Sequence, residues 1–359
     1  GEHTDYNDGF VMPLAIEQRA YVVGRLNHSQ RCRVVAADLD SEQSTFLNDD
    51  SLAPGTTAWA NYVKGVVAMF KRQGQPVPSF DAAIASDVPL GSGLSSSAAL
   101  EVATASFIEA LTQIRIEPKH KALWCQQAEH EFAGVPCGIM DQMISALGKQ
   151  GEALLLDCRS LEERYVAMND PSIALVVCNS NVEHNLGTSE YPVRRKQCEQ
   201  AVEVLCQENA PIKALRDATM ADLESVRASM EPVIYRRARH VIGEDERTTR
   251  AADALEAGEY DKAGRLMHES HVSLRDDYEV SCKELDILVD LAMNFAGGGV
   301  YGSRMTGGGF GGCTVTLCEA ARAEALIAHL NQAYTEQTGI SPMAFVTRPA
   351  AGAASKQLK

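Results

Sequence analysis

The 359-residue sequence predicts a mixed α+β fold in two lobes. Short apolar-alternating runs and helix-period runs follow one another on both sides of a polar stretch near residue 170. The length suffices for two ordinary domains, each with its own core. No internal repeat or low-complexity tract interrupts the pattern. The expected division is an N-terminal domain over residues 1–170 and a C-terminal domain over 171–359.

The elements follow in chain order. Phe10 to Ile16 reads as a strand, and residues 19–47 as strands joined by polar turns. Trp59, Tyr62, Val63, Val66, Val67 and Phe70 recur at i, i+3, i+4, i+7, i+8 and i+11, which predicts an amphipathic helix closed by Gly74 to Pro78. A strand from Phe80 leads to a Gly/Ser loop, then to helical spacing over 98–111. A helix is expected from Lys119 to Phe132, stopped by Gly134 and Pro136, and a strand from Ala153 to Asp157. Ile173 to Cys178 reads as a buried strand and Asn179 to Tyr191 as a loop. Pro192 suits the first residue of a helix reaching about Gln207. Residues 211–295 are mostly helical in pattern. Strands at 300–305 and 313–317 flank a glycine run, and a helix over 320–334 precedes a last strand near 343–347.

Charge excludes some partners. Lys+Arg 33 against Asp+Glu 48 gives −15, a balance that argues against nucleic acid or an anionic membrane as the main partner. No apolar run of about 18 residues and no basic–apolar signal-peptide pattern is read in these residues, so nothing in them points to membrane or export. The ten cysteines are scattered without a CxxC pair, which predicts reduced thiols and a cytoplasmic protein.

Three segments carry chemistry. Residues 89–100, PLGSGLSSSAAL, place two glycines and then three consecutive serines between a strand and a helix. Such a loop aims backbone N–H groups and hydroxyls at one point beside a helix N-terminus, a cradle for phosphate, unless it is an ordinary capped helix start. The lysine of a Walker A loop is missing. The run 306–312, TGGGFGG, formally satisfies G-x-G-x-x-G, but a strand follows it where a dinucleotide fold needs a helix. Five glycines in six residues more often mark close approach of backbone to a ligand or another loop than a plain turn.

The chain opens GEHTDYNDGF, and Glu2, His3 and Asp5 are equipped for charge-assisted bonds to vicinal hydroxyls, as polyol recognition demands. An exposed acidic turn is the alternative. Asp141 in CGIMDQ is either a catalytic carboxylate or a helix cap. Glu129 either reaches a Mg²⁺ ion or lies on a solvated helix face. His268 and His271 have no third ligand nearby and read as structural.

GEHTDYNDGF, PLGSGLSSSAAL and MTGGGFGG, in this order and spacing, closely resemble the three motifs of the galactokinases, members of the GHMP small-molecule kinase superfamily. WANYVKG, CGIMDQ and SEYPVRRKQC are similar to further segments of that family, so the resemblance covers essentially the whole chain. It implies a two-lobed GHMP kinase fold with the active site between the lobes, and ATP-dependent phosphorylation of the C1 hydroxyl of galactose.

The resemblance places sugar binding on Glu2, His3, Thr4, Asp5, Gly138 and Tyr191. ATP falls to Gly91, Ser92, Gly93, Leu94, Ser95, Ser96 and Ser97, with Trp59 near the adenine. Ser97 and Glu129 would hold Mg²⁺, Asp141 would be the base, and the 306–312 loop would buttress the phosphate loop. It also implies a monomer. The alternatives are a GHMP kinase for N-acetylgalactosamine or arabinose, and a non-catalytic sensor of galactose and ATP. Thr4 and the SEY segment favour galactose, and the intact Ser97-Ala98-Ala99 favours a kinase. In this family the first motif begins earlier and includes an arginine. The chain starts at Gly1 without methionine, so the expectation is that an upstream segment has been lost.

Overall fold

The computed structural model describes residues 2–182, 187–208 and 211–358. They form two compact units that interleave along the chain. One comprises Gly1–Leu14, Gly91–Leu94 and Gly151–Pro349; the other comprises Ala15–Leu90, Ser95–Gln150 and Ala350–Lys359. Both units thus draw on residues from either side of position 170, where the sequence reading places a single division.

The first strand, β1 (Phe10–Val11), belongs to the larger unit and is far shorter than the run Phe10 to Ile16 suggests. Pro13 has no N–H to donate, so the ladder stops there, although its carbonyl still accepts from Leu154 at 2.8 Å.

The smaller unit holds β2 (Ala20–Leu26), β3 (Arg31–Ala36), β4 (Glu42–Leu47), α1 (Ala58–Arg72), β5 (Phe80–Ser86), α2 (Ser96–Thr112), α3 (Pro118–Ala128) and α4 (Met140–Leu147). Its sheet runs β2-β5-β3-β4, with only the β3–β5 pair parallel. The apolar stripe of α1 packs Val63, Val66, Val67 and Phe70 against Phe80, Ile84, Val102 and Ile108, which form one buried core. After α3 the helix widens into a π turn, Glu129–Ala133, and closes at Gly134 with φ +73°. Such turns interrupt the regular bond ladder and re-aim side chains. Here Glu129 points inward and is buried.

The larger unit continues with β6 (Glu152–Asp157), β7 (Glu163–Ala167), β8 (Ile173–Asn179), α5 (Gly187–Glu208), α6 (Met220–Ser225), α7 (Pro232–Glu256), α8 (Tyr260–Ser273), α9 (Lys283–Met293), β9 (Val300–Met305), β10 (Cys313–Glu319), α10 (Ala323–Thr338) and β11 (Met343–Thr347). Its sheets run β1-β6-β7 and β11-β8-β10-β9, all antiparallel. Every residue of β8 is buried, as its unbroken apolar run requires of a central strand.

Two expectations need correction. The loop over Asn179 to Tyr191 gives way to helix at Gly187, so Pro192 sits inside α5 rather than at its start. Pro192 lacks the N–H that would bond the carbonyl four residues back, yet the helix runs through it. The part of that loop over 183–186 lies outside the described residues. The strand β7 was not foreseen, because only Val166 of its five residues is buried and its pairing with β6 supplies what its own pattern lacks.

Candidate active-site residues

In the larger unit the sequence from Glu2 to Phe10 is folded into a tight turn. Thr4 Oγ1 donates to the Phe10 carbonyl at 2.5 Å, and the Thr4 carbonyl accepts from Asn7 and Gly9 at 3.0 and 2.9 Å. Thr4 is fully buried, so its hydroxyl closes the turn. The Asn7 amide donates to the His3 carbonyl at 3.0 Å. His3 and Asp8 both sit in the left-handed region, at φ 59° and 61°. A turn held by this many bonds presents its side chains in one fixed arrangement.

Glu2 is buried against Arg304, 3.1 Å away. Burial pushes its carboxyl up, and the Arg304 guanidinium opposes that push by favouring the ionised form. His3 is buried too, and burial pulls its imidazole down, so it is neutral at physiological pH. Its Nδ1 pairs with the Tyr6 hydroxyl at 2.9 Å, while Nε2 is buried without a partner among the described residues. Asp5 is half-buried and accepts the Tyr6 N–H at 3.1 Å. The Tyr191 ring lies 5.9 Å from the His3 ring and 4.8 Å from that of Tyr6, centroid to centroid. Four of the sugar-binding candidates, Glu2, His3, Asp5 and Tyr191, are thereby gathered around one turn.

The turn is anchored from α7. Asp245 Oδ1 accepts the Phe10 N–H at 2.8 Å, and His240 Nε2 pairs with the Glu2 carbonyl at 3.0 Å. Burial raises the Asp245 carboxyl to about 6. A carboxyl raised on folding contributes stability that is complete below its unfolded value near 4 and lost as pH rises through 6. Asp245→Asn is therefore expected to remove up to ~3 kcal/mol of the fall in stability between pH 4 and pH 7, as read by urea midpoints of parent and variant at each pH. Equal pH slopes for the two proteins would assign Asp245 an ordinary pKa.

The glycine run approaches the Gly/Ser loop within this same unit. A Cβ on Gly312 would stand 2.5 Å from the Ser92 carbonyl, and one on Gly307 would stand 2.6 Å from that of Gly93. Both glycines have positive φ, 84° and 75°, so any side chain is strained and clashes with backbone. The glycines are there for close approach of two loops.

The smaller unit assembles a different group. Ser95 lies in the left-handed region at φ 60°, and α2 begins at Ser96, two residues before its apolar spacing. Ser97, in the first turn, donates its hydroxyl to the Glu129 carboxylate. The Gln142 amide bridges Glu129 at 2.6 Å and Glu101 at 3.1 Å, and the Cys137 thiol donates to Glu129 at 3.3 Å. Burial, then the charges of Glu129 and Asp141, push the Glu101 carboxyl well up. Burial likewise raises Glu129 against the bonds from Cys137, Ser97 and Gln142. Asp141 is half-buried in the first turn of α4, beside Gln142. Gly138 lies in the preceding segment, held by bonds from Gln126 and His130 to the Cys137 carbonyl at 3.2 and 2.8 Å.

The sequence reading pairs Ser97 with Glu129, two side chains that meet in the structure. It misses Glu101, Gln142, Tyr6, Tyr278, Asp245 and Arg304, whose roles come from contacts across long sequence separations. Trp59 is half-buried and its indole N–H donates to Glu42 at 2.8 Å. His271 is buried, with Nε2 3.2 Å from Asp286, and fits a structural role.

Models of three families match the chain: the GHMP kinases N terminal domain over residues 61–149, the GHMP kinases C terminal over 251–336, and the galactokinase galactose-binding signature over 1–26. The galactokinases of Bos taurus and Homo sapiens are each 50% identical over 340 residues, covering 93% of this chain and 84% of theirs. The galactokinase of Roseiflexus is 46% identical over 352 residues, covering 98% and 89%. The structure of Lactococcus lactis galactokinase complexed with galactose superposes with a TM-score of 0.93 at 32% identity, covering 98% of this chain and 91% of that one. A mevalonate kinase shares the fold at a TM-score of 0.67 and 17% identity, covering 98% and 96%.

Proposed function

The chain belongs to the galactokinases, a family of GHMP kinases, and from that membership we propose that it transfers the γ-phosphoryl group of ATP to the C1 hydroxyl of galactose, yielding galactose 1-phosphate and ADP. The similarity along nearly the whole chain carries this reading, because it includes the sugar-binding signature on the turn that gathers Glu2, His3 and Asp5.

Phosphoryl transfer asks little covalent help of a protein; positioning and charge neutralisation dominate. Glu2, His3, Asp5, Gly138 and Tyr191 take the sugar hydroxyls. The left-handed Gly91, Gly93 and Ser95 turn the loop 91–97 so that its N–H groups and hydroxyls hold the ATP phosphates. Asp141 accepts the proton of the attacking C1 hydroxyl, and the bond from that oxygen to the γ-phosphorus replaces the one to the ADP oxygen.

The donor set suits Mg²⁺. Ser97 and Glu129 share a hydrogen bond, and Asp141 sets a like charge beside Glu129 that a divalent cation would relieve. Mg²⁺ commonly takes one or two carboxylates and completes its shell with phosphate and water. Bound there, it would neutralise phosphate charge. No helix among the described residues is long and apolar enough to cross a membrane. We place the protein in the cytoplasm as a monomer.

The test is ADP release measured across galactose, N-acetylgalactosamine and arabinose. Release with galactose above the others is expected. Preference for another sugar, or binding of galactose and ATP without release, would overturn the reading. Asp5→Ala is expected to raise the KM for galactose about 10- to 150-fold with the KM for ATP unchanged, since a charged hydrogen bond contributes roughly 1.5–3 kcal/mol. An unchanged KM for galactose would remove Asp5 from the sugar site.

A further inference from the structure

A chain of hydrogen bonds leads inward from His3 through groups that the phosphoryl transfer does not use. His3 Nδ1 meets the Tyr6 hydroxyl at 2.9 Å, the Tyr6 hydroxyl meets that of Tyr278 at 2.6 Å, and the Tyr278 hydroxyl meets the Cys198 thiol at 3.3 Å. Tyr278 and Cys198 are buried completely or nearly so.

The middle of this chain is held firmly. Tyr278 ends a π turn, Leu274–Tyr278, that links α8 to α9. Arg194 donates to the carbonyls of Tyr278 and Glu279, both at 2.8 Å, and Arg237 donates to that of Asp277 at 2.5 Å. The Tyr278 ring stacks on His240 with centroids 4.4 Å apart, and His240 in turn pairs with the Glu2 carbonyl. Burying two phenols and a thiol in a row is costly unless each is satisfied, and packing alone would be served as well by phenylalanine.

A neutral imidazole carries one proton, and the bond at one nitrogen decides what the other presents. We infer that the Tyr6–Tyr278–Cys198 relay fixes the tautomer of His3, and that Tyr278 is thereby a positioning and specificity-determining residue for the sugar hydroxyl that His3 receives. The direction follows from the donors. The Cys198 thiol closes the inner end of the row and can give its proton to the Tyr278 hydroxyl. Burial keeps both phenols protonated, so each passes a proton bond onward and Tyr6 donates to Nδ1. The His3 proton then resides on Nε2, the buried atom without a partner among the described residues. An N–H in that setting selects a ligand oxygen with a lone pair aimed at it, and a sugar lacking that hydroxyl leaves it unpaired.

This inference rests on the sugar-binding reading of His3, and the experiment separates the two. Long-range ¹H–¹⁵N correlations report which nitrogen of His3 carries the proton, without any substrate. The parent is expected to show the proton on Nε2, and Tyr6→Phe and Tyr278→Phe to shift population toward Nδ1. The KM for galactose should rise roughly threefold to tenfold in both, with the KM for ATP unchanged. Cys198→Ser, which keeps a donor at the end of the relay, should stay within twofold of the parent. Across the monodeoxygalactoses, the Tyr278→Phe penalty should vanish for one sugar alone, the one missing the hydroxyl that His3 holds. A proton on Nδ1 in the parent, an unmoved tautomer in both phenylalanine variants, or a penalty equal for all the deoxy sugars would overturn the inference. A galactose KM unaffected by His3→Ala would instead remove His3 from the sugar site, and the specificity role with it, even though the tautomer would still shift in Tyr278→Phe.

Discussion

Asp141→Asn is expected to lower turnover by about 10²- to 10⁴-fold, the range typical for loss of a positioned general base. Asparagine keeps the shape of the side chain. Asp141 stands in the first turn of α4, where a carboxylate also favours the helix dipole and a polar side chain can satisfy a free N–H. Asparagine retains that capping ability, so the substitution separates proton acceptance from helix stability. Galactose and ATP affinities, read by calorimetry, should stay within a few-fold of the parent, and the melting temperature should move little. Turnover within a few-fold of the parent would show that the C1 proton leaves by another route.

Much of this organisation is legible along the chain because it is local. The helix α1 announces itself through Val63, Val66, Val67 and Phe70, and β8 through its continuous apolar run, since both elements bury faces with a regular period. The motifs are legible for the same reason: the loop around Ser95 and the turn around Asp5 each occupy a few consecutive residues. Failures cluster where tertiary contacts override local pattern. Nothing near Pro192 signals that helix continues on its N-terminal side, and nothing in Glu163–Ala167 signals a strand until β6 lies beside it.

The same division runs through the site. Ser97 and Glu129 stand in recognisable contexts, but Glu101 looks like any helical glutamate until α2 is packed and its carboxyl is found fully buried. Tyr278 and Asp245 reach the turn at Glu2 to Phe10 from more than 230 residues away, as the separations of 272 and 235 for their bonds to Tyr6 and Phe10 record. Side chains that act by supporting others have no spacing of their own to betray them.

Glu101 and Glu129 provide the sharpest contrast, because one amide, that of Gln142, holds both. Burial raises both carboxyls, but the three hydrogen bonds that oppose it fall on Glu129. Glu101 is completely buried among Glu129, Asp141 and Gln142, and burial followed by those like charges keeps its carboxyl protonated well above the usual range. A protonated carboxyl and an amide are close in size and charge, so Glu101→Gln should leave the rate within about threefold of the parent and flatten none of its Mg²⁺ dependence. Glu129 carries three hydrogen bonds to its carboxylate, from Ser97, Cys137 and Gln142, which favour the ionised form against the burial that opposes it. Glu129→Gln keeps an oxygen for those donors but removes the charge that would face a cation. The expected loss is 10²-fold or more in rate at millimolar Mg²⁺, recovered in part as Mg²⁺ rises, on the scale of charge stabilisation in phosphoryl transfer. Mg²⁺-dependent thermal stabilisation in the presence of ATP should weaken in parallel. If Glu101→Gln is the damaging change and Glu129→Gln the tolerated one, the charged member of the pair is Glu101, and the cation belongs on the other side of Gln142.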